Sequence, residues 1–184
     1  ISSHLIMSKI RLSNNKNNIV LVGHMGSGKT SIGRNLSKKI NYKFIDTDHE
    51  IENESKMAIA QFFKKNGERG FRKFEEKIIK KILKENNRSV IALGGGSFEN
   101  DKTRSLILKD NFSIWLKCSL KTLSYRCNNL DTRPLLKGKN IRNEISKLDK
   151  VRKKNYMKSN LSVDVSRKTK AKIIQEIINN LKNE

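Results

Sequence analysis

Eight residues beginning at Gly23, Gly-His-Met-Gly-Ser-Gly-Lys-Thr, follow a short apolar run and precede a stretch with helical spacing. They match G-x-x-x-x-G-K-[ST] in full, between a strand and a helix, where that pattern has a mechanism. Glycines let the backbone wrap closely round phosphates, and the loop N–H groups and helix dipole face the anion. Gly26, Ser27 and Gly28 are the expected cradle. Lys29 is expected to reach the β- and γ-phosphates, and the Thr30 hydroxyl to ligate Mg²⁺. The motif does not separate a kinase from an ATPase or GTPase. No Asn-Lys-x-Asp run for guanine recognition occurs, which favours ATP.

Three further groups stand out, two of them after other strand-like runs. Asp46-Thr47-Asp48 places two carboxylates two residues apart beyond a strand. Asp46 can hold a metal-bound water and Asp48 can accept a proton from an alcohol. The same residues also suit a helix N-cap with an acidic first turn. Glu75 stands three residues after Arg72, so a helix brings them together. That pairing either fixes a guanidinium for bidentate carboxylate recognition or is a solvated surface ion pair. Gly94-Gly95-Gly96 permits close backbone approach to a ligand or makes a flexible turn.

The elements that must position these residues alternate. Expected strands are Ile19–Val22, Lys43–Asp46, Ser89–Leu93, Phe112–Lys117 and Leu161–Val165. Expected helices are Ser27–Ile40, Ile59–Phe63, Phe71–Leu83, Asp101–Lys109, Leu120–Asn128, Ile141–Tyr156 and Lys170–Leu181, the longer ones with apolar residues on one face. Alternation with apolar strands implies an α/β fold, a parallel sheet covered on both faces. Ligands in such sheets bind beyond the carboxyl ends of the strands. The chemistry-bearing residues fall there.

Composition bounds the rest. The 184 residues make one ordinary domain, 18–184, preceded by a polar, basic stretch, 1–17, expected to be a disordered tail. The chain opens on Ile1 and its first methionine is Met7, which leaves open both a start at Met7 and a place in a longer polypeptide. No apolar run approaches the roughly 20 residues that span a bilayer, and no signal peptide is visible. A soluble, cytoplasmic protein without a membrane partner is expected. Cys118 and Cys127 are expected to be unbonded thiols. The net charge of +22 invites a nucleic-acid partner. Lysine is spread along the whole chain beside abundant Asn and Ile, however, so no nucleic-acid partner is expected. Positive potential still attracts phosphorylated and carboxylated small molecules.

Taken in order, these motifs resemble those of the shikimate kinases. The parts are Gly23–Thr30, Asp46-Thr47-Asp48, Gly67-Glu68 with Phe71-Arg72, Gly94-Gly95-Gly96, Arg133-Pro134-Leu135-Leu136, and Arg152 with Tyr156. The resemblance spans about residues 18–182. It implies a three-layer α/β/α P-loop kinase fold with a five-stranded parallel sheet. A small substrate-binding part (about 46–76) and a mobile lid (about 129–139) would complete it. The implied reaction moves the ATP γ-phosphate to the 3-hydroxyl of shikimate, giving shikimate 3-phosphate and ADP in aromatic amino-acid biosynthesis, with Mg²⁺ as cofactor. By the same resemblance Asp48 is the base and holds the substrate hydroxyls, and Asp46 lies near the metal. Arg72 and Arg152 clamp the shikimate carboxylate. Gly94, Gly95 and Gly96 line that pocket, Gly95 by a backbone contact. Arg133 reaches the transferring phosphate from the lid, and Arg126 and Arg167 lie at the adenine. A monomer is expected.

Two positions depart from the family pattern. Arg-x-Pro-x-Tyr is replaced by Arg152-Lys153-Lys154-Asn155-Tyr156, which weakens the placement of Arg152. His24 stands where Pro or an apolar residue is usual, and no catalytic role is expected of it. The competing readings are another small-molecule P-loop kinase, such as a gluconate-type enzyme, and a non-catalytic nucleotide- or nucleic-acid-binding protein.

Overall fold

The structure, a computed structural model, describes residue 12 and residues 16–127 and 140–183. The elements in order are β1 (Ile19–Val22), α1 (Lys29–Ile40), β2 (Lys43–Asp46), α2 (Thr47–Ser55), α3 (Ile59–Glu85), β3 (Ser89–Ala92), a 3-10 turn (Ser97–Glu99), α4 (Asp101–Asp110), β4 (Phe112–Lys117), α5 (Leu120–Cys127), α6 (Ile141–Tyr156), β5 (Leu161–Asp164) and α7 (Lys170–Lys182). The five strands form one parallel sheet in the order β2-β3-β1-β4-β5. The burial gradient explains that order. All four residues of β1 are buried, as a strand covered on both faces requires, while β2 and β5 at the edges are partly exposed. The phosphate-loop motif therefore leaves the middle of the sheet, with β3 and β4 on either side.

Strand side chains alternate between two cores. Ile19 and Leu21 face α1 and α7 and pack with Leu36, Ile173 and Ile177. Val20 and Val22 face the other layer and pack with Phe71, Ile78, Ile107 and Tyr156 from α3, α4 and α6. Burying each such apolar side chain contributes roughly 1.5–3 kcal/mol. A third, smaller cluster joins Met25 of the loop to Leu123, Cys127 and Ile145. It seats the loop on α5 and α6. The three-layer α/β expectation is met.

Beyond shifts of a residue or two at element ends, three stretches differ from expectation. Lys16 and Asn17, assigned to the tail, are tied to the fold. The Asn17 N–H donates to the Asp110 carbonyl at 2.8 Å, and its carbonyl accepts from Arg88 at 2.7 Å. Leu12 packs against the first core. The acidic residues after β2 begin a helix, α2, absent from the expected elements. The two helices expected at Ile59–Phe63 and Phe71–Leu83 are both present but longer; together they make up α3 and meet at a kink at Gly67, whose φ of 67° and ψ of 176° are non-helical. That conformation is essentially restricted to glycine, so the chain bends there and continues. Cys118 and Cys127 are not joined in a disulfide, and no helix among the described residues is long and apolar enough to cross a membrane.

Candidate active site

Two cavities open above the carboxyl ends of the strands. One, of about 410 Å³, is lined by the Met25–Ile32 loop, Asp46 and Arg126. The other, of about 400 Å³, is lined by α2 and α3 residues, the glycine turn and Arg152. Met25, Asp48 and Gly95 line both. A group in one cavity thus meets a group in the other beside the Asp48 carboxylate.

The first cavity has the properties of an anion site. Gly26 and Gly28 have φ of 77° and 93°, which turn the chain into α1 without a Cβ penalty. Lys29 Nζ lies over the loop and donates to the carbonyls of Gly23 at 2.7 Å and His24 at 2.8 Å. The Thr30 hydroxyl donates to Asp46 Oδ2 at 2.7 Å. Asp46 Oδ1 accepts from the Asp48 N–H at 3.1 Å and caps α2. The N-cap reading of Asp46 holds: one oxygen caps a helix while the other meets Thr30. Among the described residues no cluster of three or more His, Cys, Asp or Glu could hold a metal. Mg²⁺ is usually held by one or two carboxylates with phosphate oxygens and water. Thr30 and Asp46 have the right chemistry for it. Arg126 Nη1 donates to the Gly26 carbonyl at 3.0 Å. Arg167 does not line the cavity; its neighbours Val165, Lys168 and Lys170 do.

The second cavity is walled by Phe63 and Phe71 and carries two arginines. Arg72 is not a solvated surface charge. Its Nη1 donates to Glu75 Oε2 at 2.8 Å, and its guanidinium lies 5.3 Å from the Phe71 ring centroid. Glu75 is buried, and its other oxygen accepts from the Ser97 hydroxyl at 2.6 Å. A chain Ser97–Glu75–Arg72 therefore fixes the guanidinium. Glycine 96 is required sterically, because a Cβ there would lie 2.7 Å from Arg72 Nη2. At Gly94 a Cβ would lie 2.8 Å from Asp48 Oδ1. The glycine run is thus a close-approach surface.

Arg152 comes from α6 on the opposite side. It is 5 % exposed, and its Nη1 has no hydrogen-bond partner. Leaving a buried N–H unpaired costs about 1–3 kcal/mol, so the group is poised for an incoming acceptor. Tyr156, one turn on, donates its hydroxyl to the Gly95 carbonyl at 2.5 Å. Burial pushes the Tyr156 phenol far above its usual pKa, so it stays a donor.

Of the expected site residues, the structure gathers Gly26, Ser27, Gly28, Lys29, Thr30, Asp46, Asp48, Gly95 and Arg126 around the first cavity, and Arg72, Gly94, Gly96 and Arg152 around the second. Arg133 and the expected lid, 129–139, lie outside the described residues. Sequence reasoning missed Ser97 and the partner of His24. His24 is buried, with Nε2 2.9 Å from Asp149 Oδ1. Nothing local in the sequence links residues so far apart. Burial lowers the His24 pKa, and the hydrogen bond that the ring makes to Asp149 opposes that shift.

A phosphate loop on the central strand of a five-stranded parallel sheet, facing a pocket with two fixed arginines, defines a P-loop kinase of small molecules. The shikimate kinase family model matches residues 25–182. A shikimate kinase of Rhizobium leguminosarum is 38% identical over 171 residues, covering 93% of this chain and 86% of the relative. The solved shikimate kinase of Acinetobacter baumannii in complex with shikimate superposes with a TM-score of 0.88 at 28% identity, over 91% of this chain and 94% of that one. A gluconokinase from Sinorhizobium meliloti, at 17% identity and a TM-score of 0.58 over 92% and 94% of the two chains, shares the fold alone. The chain belongs to the shikimate kinase family. Its activity is ATP- and Mg²⁺-dependent phosphoryl transfer to an alcohol acceptor, and the gluconate-type alternative is set aside.

Proposed function

We propose that the γ-phosphate passes to the shikimate 3-hydroxyl where the two cavities meet, with Asp48 as the base. The observation that carries this reading is that Asp48 lines both cavities. A base must lie within hydrogen-bond reach of the proton it takes, and this is the carboxylate common to the donor and acceptor spaces. Gly26, Ser27 and Gly28 cradle the phosphates, and Lys29 contributes positive charge. Thr30 and Asp46 hold Mg²⁺, which neutralises charge on the phosphate oxygens. Arg72 and Arg152, approaching from α3 and α6, grip the shikimate carboxylate. Gly94, Gly95 and Gly96 let the ring lie close to the backbone.

Phosphoryl transfer asks mainly for positioning and electrostatic stabilisation, and the two fixed arginines supply positioning. Arg126 lies against the adenine, while Arg167 has no geometric support for that role. Arg133, outside the described residues, would by family resemblance supply charge to the transferring phosphate, and the lid, 129–139, would keep water from it. The protein acts as a cytoplasmic monomer without a nucleic-acid or membrane partner.

A coupled ADP-release assay across shikimate, gluconate and nucleoside monophosphates tests the acceptor, with shikimate alone expected to stimulate. Asp48→Asn is expected to lower kcat by about 100-fold or more. A variant that turns over at the wild-type rate would exclude Asp48 as the base.

A further inference from the structure

His24 occupies a loop position where an apolar side chain would suffice for packing. It is nevertheless 4% exposed with a polar ring, and its Nε2 meets Asp149 Oδ1 at 2.9 Å. The ring also packs edge-on against Tyr156, with centroids 5.2 Å apart. Asp149 and Arg152 are three residues apart on α6, the spacing at which an acid and an arginine pair along a helix. Arg104 and Asp101 on α4 form such an i,i+3 bridge, as do Arg72 and Glu75 on α3. On α6 that pair is not made. Asp149 turns to His24, and Arg152 Nη1 keeps no partner. A Cβ built at Gly95 would lie 3.5 Å from that same Nη1, so the unpaired nitrogen borders the floor of the acceptor cavity.

We propose that His24 is a positioning residue for the acceptor site: it engages Asp149 and so withholds that carboxylate from Arg152, whose free N–H is left for the carboxylate of the acceptor. The inference rests on the reading of Arg152 as a carboxylate clamp. The charged and titratable groups acting on His24 are Asp149, Arg152 and Tyr156 from α6 and Lys29 from α1. The neutral ring carries its proton on Nε2 and donates it to Asp149. Protonation retains that donor, so the contact survives in either state of the ring. Without the imidazole, Asp149 has a guanidinium within one helical turn. The acceptor then competes with an internal carboxylate for Arg152.

The test is steady-state kinetics with shikimate and ATP varied separately. His24→Leu is expected to raise the KM for shikimate about tenfold, the scale of one charge-assisted hydrogen bond, with kcat changed less than about twofold. His24→Gln, whose amide N–H reaches as Nε2 does, is expected to keep the shikimate KM near wild type. The decisive variant is the double substitution His24→Leu with Asp149→Asn, which removes the competing charge and is expected to restore the shikimate KM. A purely structural role for His24 predicts no such rescue. Should His24→Leu fail to fold, His24→Met, alone and with Asp149→Asn, carries the same comparison. An unchanged shikimate KM in the single variant, or an equally raised one in the double variant, overturns the proposal. Arg152→Met is run beside them. If it leaves the shikimate KM unchanged, the clamp reading itself fails. If it raises the KM while the His24 variants do not, only the role of His24 fails.

Discussion

Replacing Arg152 by methionine is expected to move stability and binding in opposite directions. The wild-type side chain is 5% exposed with one guanidinium nitrogen unpaired. An orphaned buried N–H costs about 1–3 kcal/mol, and Met removes it while keeping most of the apolar stem. Against this stands the loss of the Arg152 hydrogen bond to Tyr156, worth about 1 kcal/mol. Tyr156 keeps its bond to the Gly95 carbonyl. The net change runs from about zero to a gain of about 2 kcal/mol. At about 2–4 °C per kcal/mol for a protein of this size, Tm stays level or rises by up to about 8 °C. Binding changes the other way. Losing one partner of a desolvated charge pair costs about 2–5 kcal/mol, which weakens the Kd for shikimate roughly 30-fold to several thousand-fold. Calorimetric titration with shikimate and a thermal melt measure the two quantities on one preparation. A variant destabilised by more than about 1 kcal/mol that binds shikimate normally would make Arg152 a structural residue and refute the argument.

Two further outcomes follow from close contacts and from charge. Gly96→Ala places a Cβ 2.7 Å from Arg72 Nη2; displacing that guanidinium is expected to raise the shikimate KM about tenfold with the ATP KM unchanged, and a wild-type KM would show that Arg72 does not set acceptor binding. Burial holds the His24 pKa below the ordinary histidine value of 6.5, so the unfolded chain takes up a proton there before the folded one does. The associated stability is present above pH 6.5 and is lost as the pH falls through the lower, folded-state value. Urea unfolding from pH 7.5 to 5.5 should therefore show a shallower loss of stability in His24→Leu than in wild type; equal slopes would refute it.

The donor half of the site was legible because its residues are contiguous. Gly23–Thr30 carries its mechanism in its own spacing, and the apolar run Ile19–Val22 gave the buried strand that positions it. The paired Arg72 and Glu75 were legible for the same reason, being local on a helix. Local spacing left open whether that pair was solvated. The answer came from the burial of Glu75 and its second bond to Ser97, a contact made across 22 residues of chain. The link between His24 and Asp149 spans 125 residues and leaves no local trace. Helix α2 was passed over because its sequence, with one buried aliphatic residue, Ile51, has little apolar periodicity. Its start is set by the Asp46 cap, a local signal that marks where a helix begins but not how far it runs.

The lysine that replaces the family's usual proline bears on the same helix that carries Arg152. A proline at position 154 would lack the N–H that an interior helical residue donates to the preceding turn. Lys154 retains it, and α6 runs from Ile141 to Tyr156 in one piece. Arg152 and Tyr156, four residues apart, then lie on one face, both buried. Asp149 lies one turn before Arg152 and holds the phosphate loop through His24, while Tyr156 holds the glycine turn through Gly95. Asn155 adds a bond to Glu99 beyond that turn. The helix is therefore fastened to the donor loop through Asp149, to the acceptor floor through Tyr156 and to the 3-10 turn through Asn155. An unbroken helix transmits a shift at one fastening to the others. The departure from the proline pattern, which on sequence grounds weakened the placement of Arg152, leaves it on a helix held by contacts on either side of it.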